Sequence, residues 1–294
     1  MLDPDCLRAL AALAEHRTFS AAGRALGLSQ PAVFAQVRRL TEAVGTPLYA
    51  RVGRGLALTP AGLDVAAHAR SLAEMERDLV ARLHGEEATS PLVLAAGAGA
   101  VLYVLGEGLR AFRRAHAGLR VDFLTADAGA SVAAVERGAA HLGVAVLDTP
   151  PPRLSAARLT DVDQVFVAPK DDPLVGPSEP LSLRGLAGRP LVVPPEGRPH
   201  RAMLSAAFAA RGLALVPAAE ATGWELTLRL VSLGAGGAIV NASCHIPPDL
   251  KARRVRGLPS VRYYAFTRPN ARTEAVALRT TLAAHGDAWR RGRG

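Results

Sequence analysis

Apolar residues recur every three to four positions in the first quarter of the chain, which is the spacing of one face of an amphipathic helix. The repeating positions are Leu7, Leu10, Leu13, Val33, Val37 and Leu40. Gly27 interrupts the repeat, and Ser29 follows as a residue type that often caps the start of a helix. Pro31 fits the first turn of that second helix, where backbone amides have no partner within the helix. The pattern predicts two helices joined by a glycine turn.

A second apolar pattern covers residues 48–58, where two short apolar segments flank a glycine-containing turn and predict a small hairpin. Thr59 and Pro60 then begin another predicted helix, which extends to residue 84. Its apolar positions in a partly heptad-like repeat are Leu72, Leu79 and Leu83. Residues 84–91 are polar, contain glycine and proline and lack periodicity, so they predict a linker.

Beyond residue 91, short apolar runs alternate with amphipathic stretches. The predicted strands are 92–96, 119–125, 142–147, 164–168, 191–193, 238–240 and 261–267. The predicted helices are 101–116, 131–137, 200–211, 224–233 and 271–289. This alternation predicts a parallel sheet covered by helices on both faces.

The composition indicates a large hydrophobic core and few residues suited to a metal or disulfide site. Apolar residues make up 49% of the 294 residues, and Cys6 and Cys244 are too few for a disulfide framework or a four-cysteine zinc site. The chain starts with acidic residues, and no apolar run reaches the roughly 20 residues of a membrane span. We therefore expect a soluble, cytoplasmic protein with no membrane partner, no metal and no other cofactor.

The net charge of +9 suggests a polyanionic partner, but its position along the chain matters. Arginines outnumber acids in residues 1–60, whereas residues 61–88 carry an acidic excess, so the formal excess lies beyond residue 88. Composition alone therefore points away from the N-terminal segment, and local motifs have to identify any contact with nucleic acid.

The helix, glycine turn and helix at residues 20–40 fit a helix-turn-helix, whose second helix can enter the major groove of DNA. The hairpin is then a wing that brings Arg51 and Arg54 to phosphates. From spacing alone, an ordinary helical bundle with a glycine turn is an equally good interpretation.

Two five-residue motifs distinguish these interpretations: Ser-Gln-Pro-Ala-Val at 29–33 and Leu-Thr-Pro-Ala-Gly at 58–62. Together with Phe19-Ser-Ala-Ala-Gly before them, and with Gln36-Val-Arg-Arg-Leu and Gly45-Thr-Pro-Leu-Tyr between them, they resemble the LysR-type transcriptional regulators. The resemblance implies a winged helix-turn-helix, a dimerising linker helix and an effector domain like a type 2 periplasmic binding protein. It also implies a homodimer through the linker helix and a homotetramer built from two such dimers.

The implied architecture is multidomain: an all-α-rich winged helix-turn-helix with a long linker helix, then an α/β domain of two lobes. The expected bounds are 1–60 for the DNA-binding domain, 61–90 for the linker helix and hinge, and 91–294 for the effector domain. Lobe one is expected at about 91–162 and 268–294, and lobe two at about 163–267, with strands near 163–168 and 261–267 crossing between them.

The chain departs from the family pattern at three positions of the second helix, one of which is Thr41 where the family usually has glutamate. Where the family usually has a small hydroxyl residue followed by arginine, this chain has Phe34 and Ala35. Such side chains can touch a thymine methyl but cannot donate a hydrogen bond, so base readout is either altered or weakened. Gln30 remains a candidate for contact with a base edge. The other candidates for DNA contact are Ser29, Pro31, Arg38, Arg51, Arg54 and Thr59.

Several of these residues also have a structural interpretation, which is equally good for Ser29 and Thr59 and the weaker one for Arg38. Ser29 and Thr59 fit simple helix caps, and Arg38 fits a solvated helix face. The sequence leaves these alternatives open.

In an open parallel sheet, ligands bind beyond the carboxyl ends of strands, next to helix N-termini. Lobe one offers small residues at such ends and lobe two offers Arg198, His200 and Arg201, so we expect a small anionic effector held by backbone amides and positive charge. Here too, solvated arginines and a capping histidine are an equally good interpretation. The candidate effector-binding residues are Ala98, Gly99, Ala100, Ala128, Ala130, Arg198, Pro199, His200 and Thr222. A histidine that titrates near its usual 6.5 would make the response depend on pH.

Enzymatic function is not expected, because the chain lacks the common nucleophile, phosphate-loop and zinc-protease motifs, and no catalytic residue is predicted. The leading hypothesis is a ligand-responsive, sequence-specific transcriptional regulator of double-stranded promoter DNA. The alternatives are a solute-binding or enzymatic domain of the same fold with a helical arm, and a regulator whose sequence specificity is weakened.

Overall fold

The computed structural model describes residues 2–52, 55–83 and 90–293. Its N-terminal elements are α1 (Pro4–His16), α2 (Phe19–Leu26), α3 (Gln30–Val44), β1 (Tyr49–Val52), β2 (Gly55–Leu58) and α4 (Pro60–Leu83). β1 and β2 pair in an antiparallel hairpin. The predicted apolar stripes of α1 and α3 meet in one core, where Leu10, Val33 and Val37 have no exposed surface. The predicted helix-turn-helix with a hairpin wing is confirmed.

The turn between α2 and α3 is tight and depends on glycine. Gly27 adopts a φ of 66°, a conformation that side-chain-bearing residues rarely take. A Cβ on Gly23 would lie 2.7 Å from the carbonyl oxygen of Leu28. Ser29 Oγ then accepts a hydrogen bond from the backbone N–H of Ala32 at 3.3 Å, which caps the start of α3. These local features set the angle at which α3 leaves the turn.

The rest of the described chain forms two lobes of sheet and helix. The strands are β3 (Leu92–Ala96), β4 (Val121–Thr125), β5 (Leu142–Val146), β6 (Ser155–Val162), β7 (Gln164–Pro169), β8 (Leu181–Ser182), β9 (Pro190–Val193), β10 (Val216–Glu220), β11 (Gly237–Asn241), β12 (Leu250–Arg256) and β13 (Val261–Thr267). The helices are α5 (Ala98–Tyr103), α6 (Gly106–Ala115), α7 (Ala128–Glu136), α8 (Pro199–Ala209), α9 (Trp224–Ser232) and α10 (Thr273–Ala284).

Both sheets are mixed, which corrects the expectation of a purely parallel sheet. In lobe one the strand order is β4-β3-β5-β13-β6, and β13 runs antiparallel to both of its neighbours. In lobe two the order is β10-β9-β11-β7-β12-β8, and β7 is antiparallel to β11 and β12. The antiparallel strands are those next to the points where the chain passes between lobes, and a returning strand reverses direction.

The chain crosses between the lobes twice, and both crossings are short. Asp163 alone separates β6 from β7, and residues 257–260 separate β12 from β13. The two crossings are bonded to each other, because Ser260 Oγ donates to Asp163 Oδ1 at 2.6 Å. β13 pairs along its length with β5 and β6, so residues 261–267 belong to lobe one and not to lobe two as expected.

Other predicted elements differ in detail. The helix expected at 101–116 is two helices, α5 and α6, separated at Val104 and Leu105. The helix expected at 271–289 ends at Ala284, and a short 3-10 segment follows at Ala288–Arg293. β6, β10 and β12 lack a strong apolar alternation and were not expected.

α4 also contacts lobe one. Glu74 Oε2 lies 3.0 Å from His141 Nε2, and His141 Nδ1 accepts a hydrogen bond from Val93 N–H at 2.9 Å. Because Nδ1 is an acceptor, the ring hydrogen sits on Nε2 and points to Glu74. Gly138, with a φ of 71°, leaves no room for a side chain beside the buried Ser71 Oγ. The linker helix is therefore attached to lobe one at a glycine and a histidine.

Candidate functional site

One face of α3 is buried and the other is open to solvent. Gln30, Phe34 and Arg38 are spaced four residues apart and are all exposed, so they form one outward row. Pro31 and Ala35 are exposed beside this row. The structure thus brings together five predicted DNA-contact residues on a single helix surface.

Phe34 belongs to a row of three aromatic rings. Its ring centroid lies 5.3 Å from that of Phe19 on α2, in an edge-to-face arrangement with an interplanar angle of 76°. Phe19 lies in turn 5.5 Å from Tyr49 on β1, at 83°. Edge-to-face pairs of this kind stabilise beyond their buried area. The rings join the outer face of α3 to α2 and the hairpin, and sequence reasoning missed Phe19 and Tyr49 as partners.

The basic residues of this domain have different neighbours. Arg38 Nε forms a surface ion pair with Glu42 at 3.3 Å, and Arg39 pairs with Asp3 at the start of α1. Arg51 is exposed on β1, where the wing prediction places it. Arg54 lies outside the described residues. Arg38 on α3 and Arg51 on the hairpin are therefore the described basic residues of this surface.

Ser29 and Thr59 both act as helix caps. Thr59 Oγ1 donates to the Pro47 carbonyl at 2.6 Å and accepts from Gly62 N–H at 3.0 Å, which ties the hairpin to the start of α4. A hydroxyl has one hydrogen, so this geometry leaves none for a phosphate. Ser29 Oγ only accepts a bond from the Ala32 amide, and its own hydrogen stays available on an exposed residue.

Two of the lobe-one candidates, Ala100 and Ala130, do not present the expected free amides. Asp127 caps α7, and its Oδ1 accepts from Ala130 N–H at 2.9 Å. A carboxylate thus occupies the helix end that was expected to attract an anion. The Ala100 amide bonds to Gly97 O at 3.0 Å. Ala98 is exposed and Ala128 half-buried, so lobe one supplies mainly methyl groups here.

His200 does not supply positive charge, which corrects the expected role. Burial lowers the pKa of His200 to about 4, although its bond to the Ile239 carbonyl oxygen opposes this shift. The ring is therefore neutral at pH 7, with Nε2–H donating to that oxygen at 2.9 Å. It does not titrate near neutrality, so it gives no pH-dependent response there.

Arg201 is also engaged. It is 9% exposed, donates to the Pro194 carbonyl at 3.2 Å and pairs with Glu220 at 3.4 Å. Arg198 precedes α8 and is exposed, as are Pro199 and Thr222. Of the three basic residues expected at this helix start, Arg198 is thus the one whose charge faces solvent.

Trp224 fills space that was expected to hold a ligand. A Cβ on Gly99 would lie 3.1 and 3.2 Å from atoms of its indole ring, so the ring packs on the backbone of α5. The same indole meets His200 edge-to-face at 4.9 Å. In the next position, Glu225 Oε1 accepts a hydrogen bond from Tyr103 OH at 2.6 Å. These contacts join α5 of lobe one to α9 of lobe two.

Sequence reasoning missed this interlobe contact. Trp224 is one of only two tryptophans in the chain and stands at the start of a predicted helix, which was the one available signal. Its partner Gly99 was predicted as an effector-binding residue and not as a contact of Trp224.

A cavity of about 940 Å³ lies on another side of α5, and no predicted effector residue lines it. Its walls include Tyr103, Glu107, Arg110, Cys244, His245 and Trp289. Cys244 is buried, with 1% of its surface exposed. In the described ranges, no helix is long and apolar enough to cross a membrane, and no three histidine, cysteine or acidic residues cluster as metal ligands would.

Comparison with known proteins agrees with this two-part organisation. Residues 5–63 match the model of the bacterial regulatory helix-turn-helix protein, lysR family, and residues 85–286 match the LysR substrate binding domain. The chain is 30% identical over 281 residues to a RuBisCO operon transcriptional regulator of Allochromatium vinosum, covering 92% of this chain and 91% of that protein. It is 31% identical over 247 residues to the HTH-type transcriptional regulator IlvR of Caulobacter vibrioides, covering 80% and 81%.

Solved structures share the fold at lower identity. ArgP of Mycobacterium tuberculosis superposes with a TM-score of 0.76 at 18% identity, covering 97% of this chain and 98% of that one. Full-length CbnR complexed with its target DNA superposes with a TM-score of 0.56 at 21% identity, covering 98% and 99%. The order of the domains is thus shared along almost the entire length of these proteins.

Proposed function

Because the chain belongs to the LysR family of bacterial transcriptional regulators, we propose that α3 reads promoter DNA and that the two-lobed domain binds the small molecule that controls it. A helix-turn-helix and a LysR substrate-binding domain in one chain make this protein a ligand-responsive, DNA-binding transcriptional regulator. Its relatives are regulators and not enzymes. Its partner is double-stranded DNA, so the cytoplasm is where we place its action.

The observation that carries the DNA proposal is the exposed row on α3. Gln30 offers an amide that suits a base edge, and Arg38 offers charge for a phosphate or a guanine. Arg51 and Arg54 on the hairpin are proposed to hold the phosphate backbone, together with the hydroxyl of Ser29. Pro31, Phe34 and Ala35 complete the surface with apolar contacts. Thr59 supports this surface by bonding the hairpin to α4 and is not proposed as a phosphate donor.

A salt-dependent binding assay tests this surface. The probe is the DNA upstream of the protein's own coding region, compared with a random duplex of equal length. Arg51→Ala should weaken both alike and reduce the slope of log affinity against log salt by about one. Arg184→Ala, which removes an exposed charge from lobe two, is the matched control. An unchanged slope in the Arg51 variant would remove the hairpin from the proposed interface.

We propose that the effector is a small anion anchored by Arg198. Asp127, His200 and Arg201 add no net attraction for an anion, so one exposed guanidinium is the local source. Thr222 is a secondary polar contact, and the alanines and Gly99 leave room for an apolar body once Trp224 moves.

Calorimetry on the full chain with matched carboxylate and neutral ligands tests the anchor. Because charge-assisted hydrogen bonds are about twice as strong as neutral ones, Arg198→Ala should weaken carboxylate binding more than Thr222→Ala. Arg110→Ala is the control, because Arg110 lines the separate cavity. Tight binding of a neutral ligand that is insensitive to Arg198→Ala but lost in Arg110→Ala would move the site to that cavity.

The outer face of α4 supports the proposed dimer. In the second half of the helix, the exposed large apolar residues on one side are Met75, Leu79, Val80 and Leu83. Leu79 and Leu83 lie one turn apart, as on the seam of a helix pair. We propose a dimer through this face and a tetramer of two such dimers. Light scattering of Leu79→Glu should give a smaller species than the wild type, and a wild-type monomer at micromolar concentration would contradict the proposal.

A further inference from the structure

We infer that Phe34 determines DNA specificity by reading the C5-methyl group of a thymine in the major groove. The inference rests on the proposed function and sharpens it, because it assigns one atom of the DNA to one side chain. It decides between altered and weakened readout, the two alternatives that the departure at Phe34 left open.

Phe34 occupies the centre of the exposed row on α3. It lies one helical turn after Gln30 and one turn before Arg38, and 41% of its surface is exposed. Isolated apolar residues on a protein surface are common, so exposure alone carries no meaning. The position of Phe34 is informative, because any groove that accepts Gln30 and Arg38 must also accept the ring between them.

The ring is held in place before any DNA arrives. Phe19 packs edge-to-face on it, and Tyr49 packs on Phe19 from the hairpin. A braced ring loses little rotational freedom when it is buried, so more of the contact energy remains as affinity. Because the brace reaches both α2 and β1, the ring moves together with the turn and the wing.

The chemistry of the ring limits what it can recognise. A phenyl group has no donor or acceptor, and of the four bases only thymine presents a methyl group in the major groove. Ala35, also exposed, adds a second apolar group next to it. Burial of one carbon group contributes about 0.8 kcal/mol, which corresponds to about fourfold in affinity. Phe34 therefore favours thymine over uracil at one position of each half-site by about fourfold.

Replacement of thymine by deoxyuridine removes that methyl group and changes no hydrogen bond. Duplexes are selected from a random library by the full-length wild-type protein, and each thymine of the selected site is then replaced singly. Fluorescence anisotropy measures the dissociation constants. We expect one thymine per half-site at which the wild type binds the deoxyuridine duplex about fourfold more weakly.

The variants separate readout from packing. Phe34→Ala should reduce the thymine-to-uracil ratio at that position to about one, and Phe34→Leu should retain most of it. Phe123→Ala is the matched control, because it truncates a phenylalanine of 49% exposure in lobe one and should leave the ratio unchanged.

Two results would overturn the inference while leaving the proposed function intact. One is a wild type that binds its selected site with no thymine sensitive to methyl removal. The other is a ratio that persists in Phe34→Ala, which would show that Phe34 only packs against Phe19. If the wild type selected no sequence at all, the proposed function would fall first and this inference with it.

Discussion

On α3, the side chains proposed to contact DNA are exposed to solvent. The aromatic rings of Phe19 and Tyr49 pack behind Phe34 and fix its position on that surface. In the interlobe cleft, the corresponding groups already have partners: His200 donates to Ile239, Arg201 pairs with Glu220, and Trp224 lies on Gly99. The DNA surface therefore needs little rearrangement before it binds. The cleft has to exchange internal contacts for ligand contacts, so its affinity is the difference between two sets of interactions.

The largest expected effect is a loss of stability at low pH. It tests whether the cleft excludes water from the neutral His200 ring. The folded chain keeps this ring neutral down to about pH 4, whereas an unfolded histidine binds a proton below about pH 6.5. Since the unfolded state then binds more protons, stability should fall as the pH drops from about 6.5 to about 4, by up to about 3 kcal/mol.

Denaturant midpoints of the wild type and His200→Gln at pH 7 and pH 5 measure this effect. Glutamine keeps a donor for the Ile239 carbonyl but does not titrate, so the wild type should lose more stability than the variant over this range. The difference between the two proteins removes the contribution of carboxylates. Parallel pH profiles would mean that His200 is hydrated and that the cleft is open.

An intermediate effect tests the exposed surface. Gln30→Ala should reduce discrimination between the selected site and random DNA by about 1–3 kcal/mol, the usual value of a good bidentate base contact. Binding to the random duplex is the internal control, because it depends on phosphates and should change little. If the selected and random duplexes weakened equally, Gln30 would be a backbone contact and not a reader of bases.

The smallest effect concerns the bond that joins the lobes. Tyr103→Phe removes the hydroxyl that donates to Glu225 without changing the packing of the ring, and should cost about 1 kcal/mol of stability. If this bond helps to hold the lobes together, the same variant should bind effector more tightly. Trp224 fluorescence in a Trp289→Phe background reports the opening of the cleft. A variant with lower stability and an unchanged Trp224 signal would uncouple the bond from closure.

Sequence reasoning predicted the exposed row on α3, which is the proposed DNA-binding surface, because that row follows from local rules. The helical repeat and the glycine turn place Gln30, Phe34 and Arg38 on one face without reference to distant residues. The cleft depends on contacts between segments far apart in the chain, such as Gly99 with Trp224 and His200 with Ile239. Spacing located the helix starts to within about three residues, and the cap by Asp127 is a local feature that the sequence analysis overlooked. Spacing could not indicate that burial would neutralise a histidine.

The attachment of α4 to lobe one has a mechanical consequence. Glu74 and Ser71 of the linker helix contact lobe one. The backbone connects lobe two to lobe one through two short segments, and the hydrogen bond from Ser260 to Asp163 holds these segments side by side. Two interlobe connections held side by side allow the lobes to rotate about one axis and resist rotation about the others. A ligand that moved Trp224 away from Gly99 would therefore shift lobe two relative to lobe one, and the edge strand β10 would move with the rest of its sheet.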